Sequence, residues 1–515
     1  MAARETQLIN QGSYGCIYYP SLPFQTSRSI RHKKSQVDEN RAKYVSKIQK
    51  HNFHSEFEDY IGQKIQEIPS FELFFVPILK THNIDLARIK QSYVTDCNAI
   101  SKYMKRNVSN DDRKVTSEDY KELNKKFIIQ KMKYINGIYL HRYVLNVMTS
   151  TASETHPYTG SDSGDSGDSG DSDDTHTESY LSKSLRKDER QVKKYRLMSK
   201  EDEQDTSSFH LLSVVCDLYE RINDSIQILI KYNIVHYDLK ENNILIENIQ
   251  QLPYIIDFGL SIDVTRLLEH PWIDKKEREQ ESSSGAETVI NSDVIYRTSS
   301  SKIFKDNYLW RQHFYVHAPD YYLWPIEIHI MTYLINENDT LTEESLRKIC
   351  YEYIRNNKVF AYTSREFKKK IFVMSVATFH HFIHKPREKI INELIKYWDK
   401  WDMYANNIMF LKMLHEIVFH IQKIHDDHDD HDDHDDHDDH ESQSERRQKI
   451  LDPQYSSDAS IIFKNRFKIK PKQKYNNDKI MNIIQVMLRN IHPNPEKRMT
   501  PQETKAFFLS IFYEC

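Results

Sequence analysis

Apolar and polar positions change in short blocks along the first third of the chain and settle into helical spacing along much of the rest. Residues 8–19 read as strand, tight turn, strand, and 43–48 as a further strand. Over 54–68, Glu58, Ile61, Ile65 and Ile68 fall three and four apart, one stripe of an amphipathic helix, and Glu56 falls off it. Phe71–Leu79 and Phe127–Met132 are apolar enough for two more strands. Leu211–Ile230 has helical spacing, and between Ile234 and Ser261 short apolar runs enclose a series of polar residues. Further on, 340–349 carries a helix-start signature, Arg387–Trp398 is helical in pattern, and an apolar helix begins near Trp401. The pattern lapses in three places. Residues 95–125 are polar and read as an exposed insertion. Residues 149–208 include a Ser/Asp/Gly repeat too polar to offset the entropy of ordering it, and 425–440 repeat His-Asp-Asp.

Composition adds less than charge. Hydrophobic residues make up only 38% of the 515, a share diluted by these tracts. Net charge is −4, yet the His-Asp run holds ten Asp and 161–178 hold seven acidic residues, so the remainder carries +13. A basic remainder suits an anionic nucleotide, acidic substrates or nucleic acid. The His-Asp run reads as a solvated tract, although imidazole and carboxylate together can also take transition metals. Cys16, Cys97, Cys216, Cys350 and Cys515 form neither a C-x-x-C site nor a disulfide pattern. With no signal peptide and no apolar run of spanning length, the chain is expected to be intracellular and off the membrane.

The polar series at 234–261 holds the candidate chemistry. Asp238 is a carboxylate able to orient a hydroxyl and accept its proton, and Lys240 can steady a phosphoryl group as a point charge. Asn243 and Asp257 offer hard oxygens of the kind Mg²⁺ takes when it also holds phosphates. Gly12 and Gly15 would let backbone N–H groups approach phosphate oxygens. These residues stand as His-Tyr-Asp-Leu-Lys-Glu-Asn-Asn followed by Asp-Phe-Gly, with Gln-Gly-Ser-Tyr-Gly near the start. In that order they resemble the motifs of eukaryotic-type protein kinases of the Ser/Thr kind, most like those of large nucleocytoplasmic DNA viruses of the mimivirus type.

The resemblance implies an α+β, bilobal protein-kinase-like fold: a β-rich N-lobe over 1–135 and a helical C-lobe over 136–515 carrying insertions. The insertions fall at 149–208 (acidic), 263–316 (a long activation segment), 333–400 (helical) and 425–448 (the His/Asp repeat). ATP would sit under Gly12, Ser13, Tyr14, Gly15 and Ile17, with Lys47 on its phosphates and Glu58 as that lysine's partner. Met132, Lys133 and Ile135 would meet the adenine. Asp238, Lys240, Asn243 and Asp257 would carry the transfer, Asn243 and Asp257 through Mg²⁺. Ala318-Pro-Asp320 would supply the carboxylate for Arg498, and Asp402 would brace the catalytic loop. Tyr237 replaces the arginine that usually receives an activation-loop phosphate. The implied activity is phosphorylation of a protein Ser/Thr hydroxyl, in the cytoplasm (of a host if viral) or the virion. A regulatory partner could sit on the long segment or the helical insert, and nucleic acid is not expected. A pseudokinase scaffold and a small-molecule kinase are the alternatives; the four intact residues speak against the first, and Lys240 against the second.

Overall fold

Five strands near the N-terminus hydrogen-bond in the order β1-β2-β3-β6-β5: β1 Gln7–Gln11, β2 Gly15–Tyr19, β3 Tyr44–Lys50, β5 Lys80–Asn83 and β6 Phe127–Lys133. All neighbours are antiparallel, with Ile17 opposite Lys47 and Lys47 opposite Gln130. Side chains alternate across a strand, so Ile17, Lys47, Gln49 and Gln130 share one face, and Cys16, Ile48 and Ile129 the other. The computed structural model describes residues 5–12, 15–22, 41–89, 93, 95–107, 117–153, 203–274, 307–429 and 474–513.

Helix α1, Phe53–Gln66, starts at Asn52, whose side chain accepts from Ser55 N in a reciprocal capping box, and buries Phe57, Glu58, Ile61 and Ile65 as its stripe predicts. Gly62 lets α1 lie against the chain ahead of β5, since a Cβ there would stand 2.4 Å from the Ile78 carbonyl oxygen. Strand β4, Phe75–Val76, leaves this sheet and pairs in parallel with Ile255 and Ile256. The expected apolar strand at 71–79 is therefore a 3₁₀ turn plus this short strand.

The other face of the sheet overturns two expectations. Helices α2, Asn98–Asn107, and α3, Ser117–Lys126, cover it, and Cys97, Ile100 and Leu123 are fully buried with Cys16, Tyr18, Ile48 and Phe127. The described parts of 95–125 are thus no exposed insertion, because Ala99, Ile100, Tyr103, Met104, Tyr120 and Leu123 all pack into that core. Cys16 and Cys97 form a disulfide across 81 residues of sequence, a pairing that spacing alone cannot show.

β7, Gly137–Tyr139, leads into α4, Leu140–Ser153, and then α5, Glu203–Lys231. β8 Ile234–Val235, β9 Ile244–Glu247, β10 Pro253–Ile256 and β11 Ile262–Asp263 follow, with β9 between β7 and β10, and β8 paired to β11. The remainder is helical: α6 Val264–Glu269, α7 Tyr308–His313, α8 Ile326–Asn336, α9 Glu343–Asn356, α10 Arg365–Phe379, α11 Arg387–Leu394, α12 Trp401–Asp429, α13 Lys474–Asn490 and α14 Pro501–Tyr513. The α+β arrangement expected from the motifs is present, a β-sheet N-terminal region followed by a helical C-terminal region. The helices at 333–400 are not a separate body, for Leu346, Ile349, Phe379 and Ile390 share one core with α5 and α12. Among the described residues no helix is long and apolar enough to cross a membrane. The acidic repeat within 149–208, most of 263–316 and the His/Asp tract at 425–448 lie largely outside the described residues.

All five tryptophans lie between 272 and 401. Four of them join a chain of ring contacts: Trp272 to Trp310 at 6.3 Å, Trp310 to Phe314 at 5.7 Å, and Tyr237 to Trp324 at 4.8 Å and to Trp401 at 6.1 Å.

The partner of Arg498 also differs from expectation. Its guanidinium meets Glu327 in α8 through two parallel bonds of 2.6 and 2.9 Å, with both side chains at most 1% exposed. Asp320, the residue expected there, is exposed. The matching motif is Pro325-Ile-Glu327, seven residues further on, where the carboxylate also sits in the first turn of a helix and gains from its dipole. Glu327→Gln is expected to cost about 3–5 kcal/mol by leaving a buried guanidinium without its counter-charge. Asp320→Asn should stay within about 0.5 kcal/mol. Denaturant melts of both variants check the assignment, and equal costs would overturn it.

Candidate active site

Lys47 is the residue around which the cleft assembles. Its ammonium donates to Glu58 Oε1 and Oε2 at 2.8 and 3.0 Å and to Asp257 Oδ1 at 3.0 Å. β3 supplies the lysine on the face turned toward α1, and the stripe of α1 turns Glu58 to meet it. Gln49, two residues along the same face, donates to Glu58 Oε2 at 2.7 Å, and Gln130 ties Ser55 of α1 to the sheet at 3.0 Å. Glu56 turns away to His51. Burial alone would lower the Lys47 ammonium, but Asp257 and Glu58 overcome it and the net shift is upward. Burial raises the Glu58 carboxyl against the pull of Lys47, and Lys47 holds the Asp257 carboxyl below its ordinary value.

Asp257 has φ of 64°, a left-handed conformation that costs on the order of 1 kcal/mol or more and turns its side chain toward the lysine. Phe258 behind it is buried on Phe75 at 6.1 Å and His236 at 5.0 Å, which holds the turn inward.

Asp238 leaves a second left-handed residue, Tyr237, with φ of 67°. The loop is held from α12, where Asp402 accepts the N–H groups of His236 and Tyr237 at 2.6 and 3.0 Å, as the resemblance implied. Trp324 Nε1 donates to the Tyr237 carbonyl at 2.9 Å. Tyr237 itself is buried, its ring enclosed by Phe314, Trp324 and Trp401, so it offers nothing to a phosphate. Lys240 donates to both Asp238 oxygens at 2.8 and 3.1 Å, and Asn243 Nδ2 donates to Asp238 Oδ2 at 3.0 Å and to its carbonyl at 2.8 Å. Because the amide nitrogen is spent on Asp238, the carboxamide oxygen of Asn243 is the end left to face a cation. The Asp257 side chain is 45% exposed, so one of its oxygens also opens to the cleft.

The remaining predicted residues scatter more. Ile17 sits beside Lys47 in the ladder. Met132 and Ile135 pack with Val76, Leu245, Leu252, Tyr254 and Ile256 in a small apolar cluster, a surface suited to a flat ring, while the Lys133 side chain is exposed and lies over Tyr254. Gly15 is required by packing, since a Cβ there would stand 2.2 Å from the Ile48 carbonyl oxygen, whereas space above Gly12 is open. Ser13 and Tyr14 lie outside the described residues.

Sequence reasoning missed three contacts. The Tyr321 hydroxyl donates to Asp238 Oδ1, Asn10 in β1 donates to the Tyr139 hydroxyl across the mouth of the cleft, and Asp263 binds α1 from the far side. No motif marks Tyr321 or Asp263, whereas Asn10 stands where the glycine-rich loop pattern has its first glycine. Tyr321 has a neighbouring signal, the Ala-Pro-Asp just before it.

No family model matches the chain, and no curated protein does. Among solved structures, the BubR1 kinase domain aligns over 81% of this chain and 83% of its own, at 11% identity and a TM-score of 0.24. A TM-score this low decides nothing about activity.

Lys47→Met would leave two carboxylates without their cation. The cost at pH 7 should be about 3–5 kcal/mol, mostly from the buried pair with Glu58. Asp257 is depressed in the folded protein, so its share of the stability exists above the usual carboxylate range and is lost on acidification. The gap between wild type and Lys47→Met should therefore hold down to about pH 4 and narrow below it. Melts across that range check this, and a gap independent of pH would contradict it.

Proposed function

We propose that the chain is an ATP- and Mg²⁺-dependent protein serine/threonine kinase. The observation that carries this reading is the bridge of Lys47 to both Glu58 and Asp257, opposite an Asp238 already held by Lys240 and Asn243. A scaffold has no need of a buried lysine between two carboxylates, since such an ion pair seldom adds net stability.

The donor set fits a divalent cation. One ammonium faces two carboxylates, so the cleft has negative charge to spare, and the uncommitted oxygens of Asp257 and Asn243 are hard ligands. Those two residues would hold Mg²⁺, which neutralises phosphate charge when bound. Lys47 would hold the α- and β-phosphates. Asp238 would orient the substrate hydroxyl, whose oxygen bonds to the γ-phosphorus as the phosphorus–oxygen bond to ADP breaks. The hydroxyl proton passes to Asp238, and Lys240 offsets charge on the transferring group. The work is positioning and charge neutralisation rather than covalent chemistry.

Lys240, two residues past Asp238, favours a Ser/Thr hydroxyl on a protein over a small molecule. The Gln-Gly-Ser-Tyr-Gly loop, Tyr237 and the helices at 333–400 are why we place the chain nearest to kinases of large nucleocytoplasmic DNA viruses. A cytoplasmic site of action has to accommodate the Cys16–Cys97 bond, because cytosolic thiols are mostly kept reduced.

Purified protein incubated with labelled ATP, Mg²⁺ and a panel of basic and acidic proteins is expected to label Ser or Thr, and EDTA to abolish it. Asp238→Asn and Asp257→Asn should each lower the rate by about 10²-fold or more with an unchanged fold. Rates within a few-fold of wild type for either variant would end the proposal.

A further inference from the structure

The position of α1 decides whether Glu58 meets Lys47, and something outside the cleft has to fix it. Asp263 does so from the segment that follows Asp-Phe-Gly. It closes β11, is 3% exposed, and pairs in register with Ile234, one strand ahead of the catalytic loop. Its Oδ2 accepts the Tyr60 hydroxyl at 2.6 Å, and its Oδ1 takes the Lys64 ammonium at 2.8 Å. Tyr60 and Lys64 stand four apart on α1, so one carboxylate grips two successive turns of the helix. The same Oδ1 caps α6 by accepting Thr265 N at 3.2 Å, and Arg266 lies 4.0 Å from Oδ2 with its guanidinium 4.1 Å from the Tyr60 ring centre. Burial, then Asp263, pushes the Tyr60 hydroxyl up to about 12, so it stays a donor at any physiological pH.

A second contact holds the first turn of α1. Phe53 and Phe57 meet the His313 ring of α7 at 5.5 and 4.6 Å, and His54 meets Tyr315 at 5.1 Å. The first contact is ionic and the second aromatic, and they act at different turns of one helix. Together they fix its rotation with Glu58 facing Lys47.

From these contacts we infer that Asp263 is a positioning residue for phosphoryl transfer. Its built-in carboxylate locks α1 to the activation segment, where an added phosphate would otherwise have to supply the anion. The inference rests on the kinase reading above. A phosphate would make the same charge-assisted bonds to lysine and arginine, but it must be put on and can be removed. Asp263 is permanent. Tyr237, buried among aromatic rings, offers no positive charge to a phosphate.

The test uses the full-length protein in four forms: phosphatase-treated wild type, Asp263→Ala, Lys64→Met and Tyr60→Phe. The phosphatase-treated wild type should keep its initial rate. Asp263→Ala should lose tenfold or more in kcat, with KM for ATP raised several-fold as Lys47 loses its aligned partner. Hydrogen exchange at the amides of 53–66 should rise in step. Lys64→Met and Tyr60→Phe remove one bond each and should show smaller shifts in the same three readouts, so the inference remains testable should Asp263→Ala fail to fold. Unchanged exchange and unchanged kcat in a folded Asp263→Ala, or in both milder variants, would overturn it. So would a tenfold loss on phosphatase treatment. A wild type that transfers no phosphate at all would sink the kinase reading instead, and exchange at 53–66 would then judge Asp263 alone.

Discussion

Two backbone N–H groups and one buried carboxylate set the geometry on which the rest of the site depends. Asp402, in the first turn of α12, spends one oxygen on His236 N and the other on Tyr237 N. Only a carboxylate can do this, because an amide would turn an NH₂ group toward one of the two donors. Burial pushes the Asp402 carboxyl up, and the neighbouring His236 ring and the two N–H donors pull the other way. Held there, Tyr237 can sit at positive φ with its carbonyl on Trp324, and Asp238 projects from the far side of the turn. The left-handed residue is thus stabilised from both of its peptide groups, and its ring is packed as well.

Around that anchor the protein balances charge through shared partners. Lys47 serves two carboxylates, Asp238 serves Lys240, Asn243 and Tyr321, and Asp263 serves Tyr60, Lys64 and the cap of α6. Each hub joins elements far apart in sequence. Lys47 and Asp257 are 210 residues apart, and Tyr60 and Asp263 are 203 apart. Beside the apolar core that runs from Phe57, Ile61 and Ile65 of α1 and from Phe75 into the helical half, the two halves of the molecule are tied at the cleft by these polar contacts. Such contacts are directional and lose strength steeply when misaligned, which suits a site that must hold angles as well as distances.

The local parts of this arrangement were legible in the sequence. Spacing of apolar residues marked α1 and placed Glu58 on its inner face, and short-range motif order marked Asp238, Asn243 and Asp257. What failed was long-range. The carboxylate for Arg498 was assigned to Asp320 because Ala-Pro-Asp matched a short pattern, yet burial, visible only after folding, selects Glu327. The cover of the N-terminal sheet was missed because α2 and α3 carry few apolar residues, although nearly all of them point inward. Asp263 and Tyr321 belong to no motif. Their roles come from what stands opposite them in space, which one-dimensional spacing does not encode.

The distribution of tryptophan has a spectroscopic consequence. All five indoles lie in the helical half, four of them in the ring contacts that reach Tyr237, and the sheet half has none. Tryptophan emission therefore watches the seat of the loop that carries Asp238 and is blind to the strands that carry Lys47. Far-ultraviolet circular dichroism sees both halves alike. If the two signals melt together, the halves unfold as one cooperative unit; if emission holds while ellipticity falls, the sheet opens first, with Asp238 still in place.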